Sequence, residues 1–140
     1  MFIVLDTNHF TELVDDSAPG NRLKARLAAV KAAAFTTIVT CQEVSQGWCA
    51  LINRKPAGRA QVFHYSQYQH SMAMLNELTV LPFDDEAAIH FHHLQDQRIR
   101  VGTMDLKIAS ICIAHSATLL TRNVVDFDKI PGLRVENWLD

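Results

Sequence analysis

Short apolar runs alternate along the chain with longer stretches in which apolar residues recur at helical spacing. Compact runs of apolar and β-branched residues are typical of buried strands. Apolar residues that return every three or four positions are typical of amphipathic helices. The pattern predicts strands at residues 2–5, 35–39, 79–83, 118–121 and 133–138.

The stretches between these strands predict helices over residues 19–34, 40–55, 59–77, 84–97 and 104–116, with a further helix directly after the first strand. Strands that alternate with helices favour the α/β class, with a mainly parallel central sheet covered on both faces in a three-layer α/β/α arrangement. In such sheets the functional site lies beyond the carboxyl ends of the strands.

The composition limits what the chain can be. Its 140 residues predict a single domain over 1–140, and 49% hydrophobic residues are too many for a disordered chain. The formal net charge is −2, so an anionic substrate must be attracted by a local patch or by bound metal.

The cysteines and the lengths of the apolar runs indicate the cellular compartment. Cys41, Cys49 and Cys112 are odd in number and lack metal-type spacing, which favours buried thiols in a reducing environment. The first strand begins at residue 2, which leaves no room for a signal peptide, and no apolar run approaches the length of about 18 residues that a membrane span needs. We expect a soluble cytoplasmic protein without a membrane partner.

Four acids lie where the predicted strands end or the next helices begin: Asp6, Glu43, Asp105 and Asp126. Carboxylates that converge on one rim repel each other unless they are protonated or bridged by a cation. Hard oxygen ligands suit Mg²⁺ or Mn²⁺, and such an ion activates water and neutralises charge on a phosphodiester.

Each acid also has a structural explanation. Asp6 is suited to cap the first helix, Thr40-x-x-Glu43 forms a capping box, and Asp105 has a favourable place in a helix first turn behind Thr103. Asp126 taken alone fits a surface loop. Only the joint placement of the acids favours a metal site.

Four ordered motifs resemble those of PIN-domain nucleases. They are Asp6-Thr7-Asn8 after the first strand, Glu43 early in the helix after the second, the segment GTMDLKIA at 102–109, and TRNVVDF at 121–127. The resemblance covers nearly the whole chain, and the length is similar to that of VapC-type toxins.

The resemblance implies a PIN fold and a Mg²⁺- or Mn²⁺-dependent endoribonuclease, homodimeric and silenced by a cognate antitoxin that reaches the acid site. It carries over Asp6, Glu43 and Asp105 as metal-binding and catalytic residues, Asp126 as a further catalytic acid, and Thr7, Asn8, Thr121 and Asn123 as supporting polar groups. Family members differ at the fourth motif, so either Asp126 or Asn123 completes the site. The predicted helix 59–77, rich in aromatic residues and Met, also favours a homodimer.

Three other functions compete with this prediction. One is a PIN fold that binds without cutting RNA. A Mg²⁺-dependent phosphohydrolase with Asp6 as nucleophile needs a second acid two residues later, where this chain has Asn8. A receiver-like domain pairs two acids at the end of its first strand, which is not found here.

Overall fold

The computed structural model describes residues 2–140, and within them five parallel strands form one sheet in the order β3-β2-β1-β4-β5. The strands are β1 (Ile3–Leu5), β2 (Ala34–Thr37), β3 (Thr79–Leu81), β4 (Thr118–Leu120) and β5 (Arg134–Glu136). The helices are α1 (Thr7–Val14), α2 (Ala18–Ala29), α3 (Ile38–Asn53), α4 (Val62–Asn76), α5 (Asp85–Asp96), α6 (Thr103–Ala114) and α7 (Val124–Phe127). A 3₁₀ turn, Arg59–Gln61, precedes α4, so the long helix predicted from residue 59 begins three residues later.

Helices cover both faces of the sheet, as the predicted three-layer α/β/α arrangement requires. On one face Val4 packs in a cluster with apolar residues of α5 and α6, including Phe91 and Ile111. On the other face Ile3 and Leu5 pack with residues of α1, α2 and the segment after β5. The two faces of β1 therefore belong to separate halves of the core, and every residue of β1 is fully buried.

The start of α3 differs from the prediction. We predicted a strand through Val39 and a helix from Thr40, whereas β2 ends at Thr37 and α3 begins at Ile38. Thr37 is the N-cap, and its Oγ1 accepts a hydrogen bond from the Thr40 backbone N–H at 3.1 Å. The β-branched residues after Thr37 imitate a continued strand, but this cap starts the helix within them.

This cap removes one explanation of Glu43. With Thr37 at the N-cap, Glu43 lies in the second turn of α3, so the predicted capping box Thr40-x-x-Glu43 is wrong. A similar shift occurs at α6, where Gly102 is the N-cap and Thr103 is already the first helical residue.

All three cysteines are free thiols, but the prediction that they are buried is wrong for Cys49, which is exposed, whereas Cys41 is half-buried and Cys112 is buried. Burial raises the pKa of the Cys112 thiol strongly, with a smaller contribution from the negative charge of Asp6, and burial also raises the pKa of Cys41. Within residues 2–140, every helix is too short or too polar to span a membrane.

Candidate active site

The carboxyl ends of β2, β1 and β4 lie side by side at one edge of the sheet, and α6 begins at the same edge because it leads back to the start of β4. A cleft of about 200 Å³ opens there. It is lined by Asp6, Thr7, Asn8, Glu43, Asp105, Ile108, Asn123 and Phe127. The structure thus brings three of the four predicted acids, and three of the four predicted supporting residues, to one place.

Asp6 follows β1 directly and is only 7% exposed. Its backbone N–H donates to the carbonyl of Leu120 at 3.1 Å, which ties it to the end of β4. Its Oδ1 accepts the backbone N–H of His9 at 2.8 Å, so Asp6 is the N-cap of α1. The cap uses Oδ1, and within residues 2–140 no hydrogen bond engages Oδ2, so capping and metal binding are compatible at this residue.

Glu43 is held by a side chain of the neighbouring helix. The Thr7 hydroxyl donates to Glu43 Oε1 at 2.8 Å, linking the first turn of α1 to the second turn of α3. A hydrogen bond to a charged acceptor is stronger than one between neutral groups, so Thr7 limits the orientations open to the carboxylate. Thr7 therefore supports the site through Glu43.

Asp105 occupies the first turn of α6 and is half-buried. Burial raises the pKa of its carboxyl group above the ordinary value, and the negative charges of Glu43, Asp6 and Asp126 raise it further. The surroundings of Asp105 thus disfavour the ionised form of its carboxyl group. A proton or a bound cation would relieve this.

At the fourth motif the structure places the two candidate residues differently. Asn123 lines the cleft, whereas Asp126 stands behind it and accepts hydrogen bonds from Asn123 Nδ2 at 3.0 Å and Lys129 Nζ at 3.2 Å. The bond from Asn123, and then the bond and charge of Lys129, lower the pKa of Asp126. Thr121 is buried, and its Oγ1 accepts the backbone N–H of Asn123 at 3.0 Å. Thr121 and Asp126 therefore hold Asn123 from two sides.

The donor set fits a hydrated hard cation. Across residues 2–140, no three His, Cys, Asp or Glu side chains are placed closely enough to hold an ion by direct contact alone. Mg²⁺ commonly retains several waters and binds through one or two carboxylates, so it does not need an enclosing cage. Carboxylate and amide oxygens around an open cleft suit Mg²⁺ or Mn²⁺ better than a metal that favours nitrogen and sulfur.

An apolar groove continues from the acid cleft. It has a volume of about 240 Å³ and shares Thr7 and Glu43 with the cleft. Its other walls come from α1, α3 and α4 and include Phe10, Val44 and Trp48. An apolar chain in the groove would end beside the carboxylates.

The sequence pattern did not single out His9, which is fully buried under Asp6. Its Nδ1 lies 3.2 Å from Asp6 Oδ1, and its Nε2 accepts the backbone N–H of Trp138 at 3.2 Å. The spacing of three residues between Asp6 and His9 on a helix was the available signal. Nothing in the sequence connects His9 to a residue 129 positions later.

Comparison with known families now bears on this geometry. The model of the PIN domain family matches residues 3–133. The chain belongs to the PIN domain family. The match begins in β1 and includes every residue that lines the acid cleft.

Curated relatives of this PIN domain include Ribonuclease VapC2 of Rickettsia felis, 35% identical over 68 residues, which are 46% of this chain and 51% of that protein. The tRNA(fMet)-specific endonuclease VapC of Salmonella typhimurium is 34% identical over 68 residues, 46% of this chain and 52% of that protein. The chain spans about half the length of the curated relatives it matches.

Solved structures show the same fold over the full chain. VapBC2 from Rickettsia felis, bound to a promoter DNA fragment, has a TM-score of 0.76 at 23% identity and covers 99% of both chains. VapBC-1 from nontypeable Haemophilus influenzae has a TM-score of 0.77 at 20% identity and covers 100% of both. The PIN fold predicted from the four motifs is confirmed.

Proposed function

We propose that this PIN domain is a Mg²⁺- or Mn²⁺-dependent endoribonuclease that acts as the toxin of a toxin–antitoxin pair. The observation that carries the proposal is the convergence of Asp6, Glu43 and Asp105 on one cleft, where burial and like charge raise the pKa of Asp105. The VapC ribonucleases among the relatives support the choice of RNA as substrate.

In this proposal Asp6, Glu43 and Asp105 hold the metal, directly or through water. The ion, when bound, supplies charge neutralisation at the phosphodiester and an activated water. Thr7 fixes Glu43 through its hydroxyl. Asn123 uses its amide nitrogen on Asp126, which leaves its carbonyl oxygen as the polar atom that it offers to the cleft.

Asn8 completes the rim from the exposed side of the first turn of α1. Its amide group is both donor and acceptor, so it suits contact with the RNA backbone at the mouth of the cleft. Thr121 does not reach the cleft and acts through the Asn123 backbone.

The partners follow from two apolar surfaces. We assign the groove beside the acids to a segment of a cognate antitoxin, in keeping with solved neighbours that are VapBC complexes. Along α4, Val62, Tyr65 and Met72 are exposed on one side of the helix, with Val62 60% exposed, and we assign this face to a homodimer in the cytoplasm.

The test is RNA cleavage by the purified protein with Mg²⁺ or Mn²⁺, with EDTA, and with Asp105→Asn. Loss of one carboxylate from a shared metal site is expected to lower the rate about a thousandfold, or about 4 kcal/mol. Asp85→Asn is the matched control, because Asp85 is also an acid in a helix first turn but is exposed at the start of α5.

Undiminished cleavage in EDTA would exclude the metal mechanism. Full activity of Asp105→Asn would remove that residue from the site. A protein that binds RNA and never cuts it with either metal would be a PIN-fold binding module.

A further inference from the structure

We propose that His9 is a positioning residue for Asp6, holding one carboxylate oxygen so that the other faces the cleft, and that the chain after β5 fixes the ring for this task. The inference rests on the proposed function, because it concerns a metal ligand of that site. His9 is fully buried and does not line the cleft, so it acts only through Asp6.

A buried imidazole needs a partner for each nitrogen, because an unpaired polar atom in the core is costly. His9 lies on α1 beside Phe10, an apolar neighbour that is also buried. Both ring nitrogens nevertheless have partners, one at Asp6 and one at Trp138. A residue kept only to fill space on this face would be apolar.

The Trp138 contact determines the tautomer. A backbone N–H can only donate, so His9 Nε2 must offer its lone pair at 3.2 Å. The proton of the neutral ring is then on Nδ1, which donates to Asp6 Oδ1 at 3.2 Å. A backbone atom far along the chain thus decides which ring nitrogen faces the carboxylate.

Trp138 is well placed to fix this atom. The residue is only 4% exposed, and the Arg26 guanidinium lies 4.2 Å from the centre of its ring. Its indole N–H donates to Glu136 Oε1 at 3.3 Å, next to the end of β5. With its side chain held by packing and by these contacts, the Trp138 backbone N–H has little freedom to leave His9.

The consequence concerns Asp6. Its Oδ1 accepts both the backbone N–H and the ring N–H of His9, so both donors fix the same oxygen and Oδ2 is the one left for a cation. Hydrogen bonds behind a metal ligand orient it, and losing one typically costs 10- to 100-fold in metal affinity. His9 should therefore affect metal binding more than its distance from the cleft suggests.

Two variants of His9 remove its two hydrogen bonds one at a time. His9→Asn places an amide nitrogen where Nδ1 stands, which keeps the donor to Asp6 and loses the acceptor for Trp138. His9→Gln places an amide oxygen near Nε2, which keeps the acceptor for Trp138 and loses the donor to Asp6. Both replace an aromatic ring with an amide, so both lose similar packing.

The measurements are Mn²⁺ affinity by isothermal titration calorimetry and thermal melting without metal. We expect His9→Gln to bind Mn²⁺ about 10- to 100-fold more weakly than wild type and His9→Asn to bind within a few-fold of it, at similar melting temperatures. Nitrogen NMR of the histidine side chains in the wild-type protein reports the tautomer directly. We expect His9 to be protonated at Nδ1 and unprotonated at Nε2.

Wild-type Mn²⁺ binding and metal-dependent cleavage are measured first. If wild type binds no Mn²⁺, the proposed function fails and this inference fails with it. If wild type binds and folded His9→Gln binds equally well, only this inference is overturned. Equal weakening in both variants identifies His9 as a packing residue, and if neither variant folds, a proton on Nε2 in the wild-type spectrum overturns the proposal.

Discussion

Glu43→Gln is expected to abolish cleavage while leaving the metal-free protein at least as stable as wild type. The Gln side chain can still accept from the Thr7 hydroxyl, which lies 2.8 Å from Glu43 Oε1. What changes is the charge. A hydrogen bond to a charged group contributes about 1.5–3 kcal/mol and a neutral one about 0.5–1.5 kcal/mol, so the substitution costs about 1 kcal/mol here.

Relief of repulsion offsets this cost. Glu43 shares a cleft of about 200 Å³ with Asp6 and Asp105. Like charges about 7 Å apart across such a cleft repel by about 0.6 kcal/mol in water and about 2 kcal/mol at an effective dielectric constant of about 20. Glu43 has two such neighbours, so the relief equals or exceeds the cost, and the free energy of unfolding should stay the same or rise slightly, with Tm at or a few degrees above that of wild type.

The assay joins thermal melts, with and without Mn²⁺, to RNA cleavage. In wild type, Mn²⁺ should raise Tm, because a ligand that binds the folded state stabilises it. In Glu43→Gln that rise should shrink and cleavage should fall about a thousandfold. Thr37→Ala is the control on the same helix: it removes the α3 cap at a cost of about 1 kcal/mol but leaves the carboxylates in place.

The reasoning fails if Glu43→Gln cuts RNA at the wild-type rate and retains the full Mn²⁺ shift. A loss of several kcal/mol in the metal-free protein would also contradict it, because Glu43 would then be chiefly a structural partner of Thr7.

Three further predictions follow from the site and the exposed helix. Burial, and then the charges of the neighbouring acids, raise the pKa of Asp105, so above the ordinary carboxyl pKa the metal-free folded protein binds more protons than the unfolded chain. Its stability should therefore fall as pH rises from the ordinary value through the raised one, and urea unfolding of Asp105→Asn should lose that part of the slope. Asn123→Ala should lower cleavage more than Asp126→Ala, because Asn123 lines the cleft; the reverse order in a rate assay would give Asp126 the direct role. Light scattering should show twice the 15.7 kDa chain mass, and Tyr65→Asp should shift it toward one chain with little change in Tm; a wild type that stays at 15.7 kDa would exclude the dimer.

The sequence predicts the fold well because the strands that form it are buried. The short apolar runs at β1 and β4 predict buried strands, and both strands are almost wholly inaccessible to solvent. The error at α3 arose where propensity and capping disagree, since Ile38 and Val39 favour a strand while Thr37 begins a helix.

At the site, sequence order identifies the acids but not their arrangement. The fourth motif contains both Asn123 and Asp126, and only the short helix α7 shows which one lines the cleft. His9 was missed because half of its environment comes from Trp138, and a contact across 129 residues leaves no local pattern.

The central position of β1 also matters while the chain is being made. Ile3 pairs with Ala34 on one side but with Thr118 on the other, so one edge of β1 stays open until β4 has left the ribosome. At roughly 5–20 residues per second, the 115 additions that lead from Ile3 to Thr118 take about 6–23 s. Asp6 is translated early, yet its N–H has no partner at Leu120 until then. A nascent chain therefore carries the first acid without an assembled cleft until β4 has been made, and the complete site forms only after β4 pairs with β1.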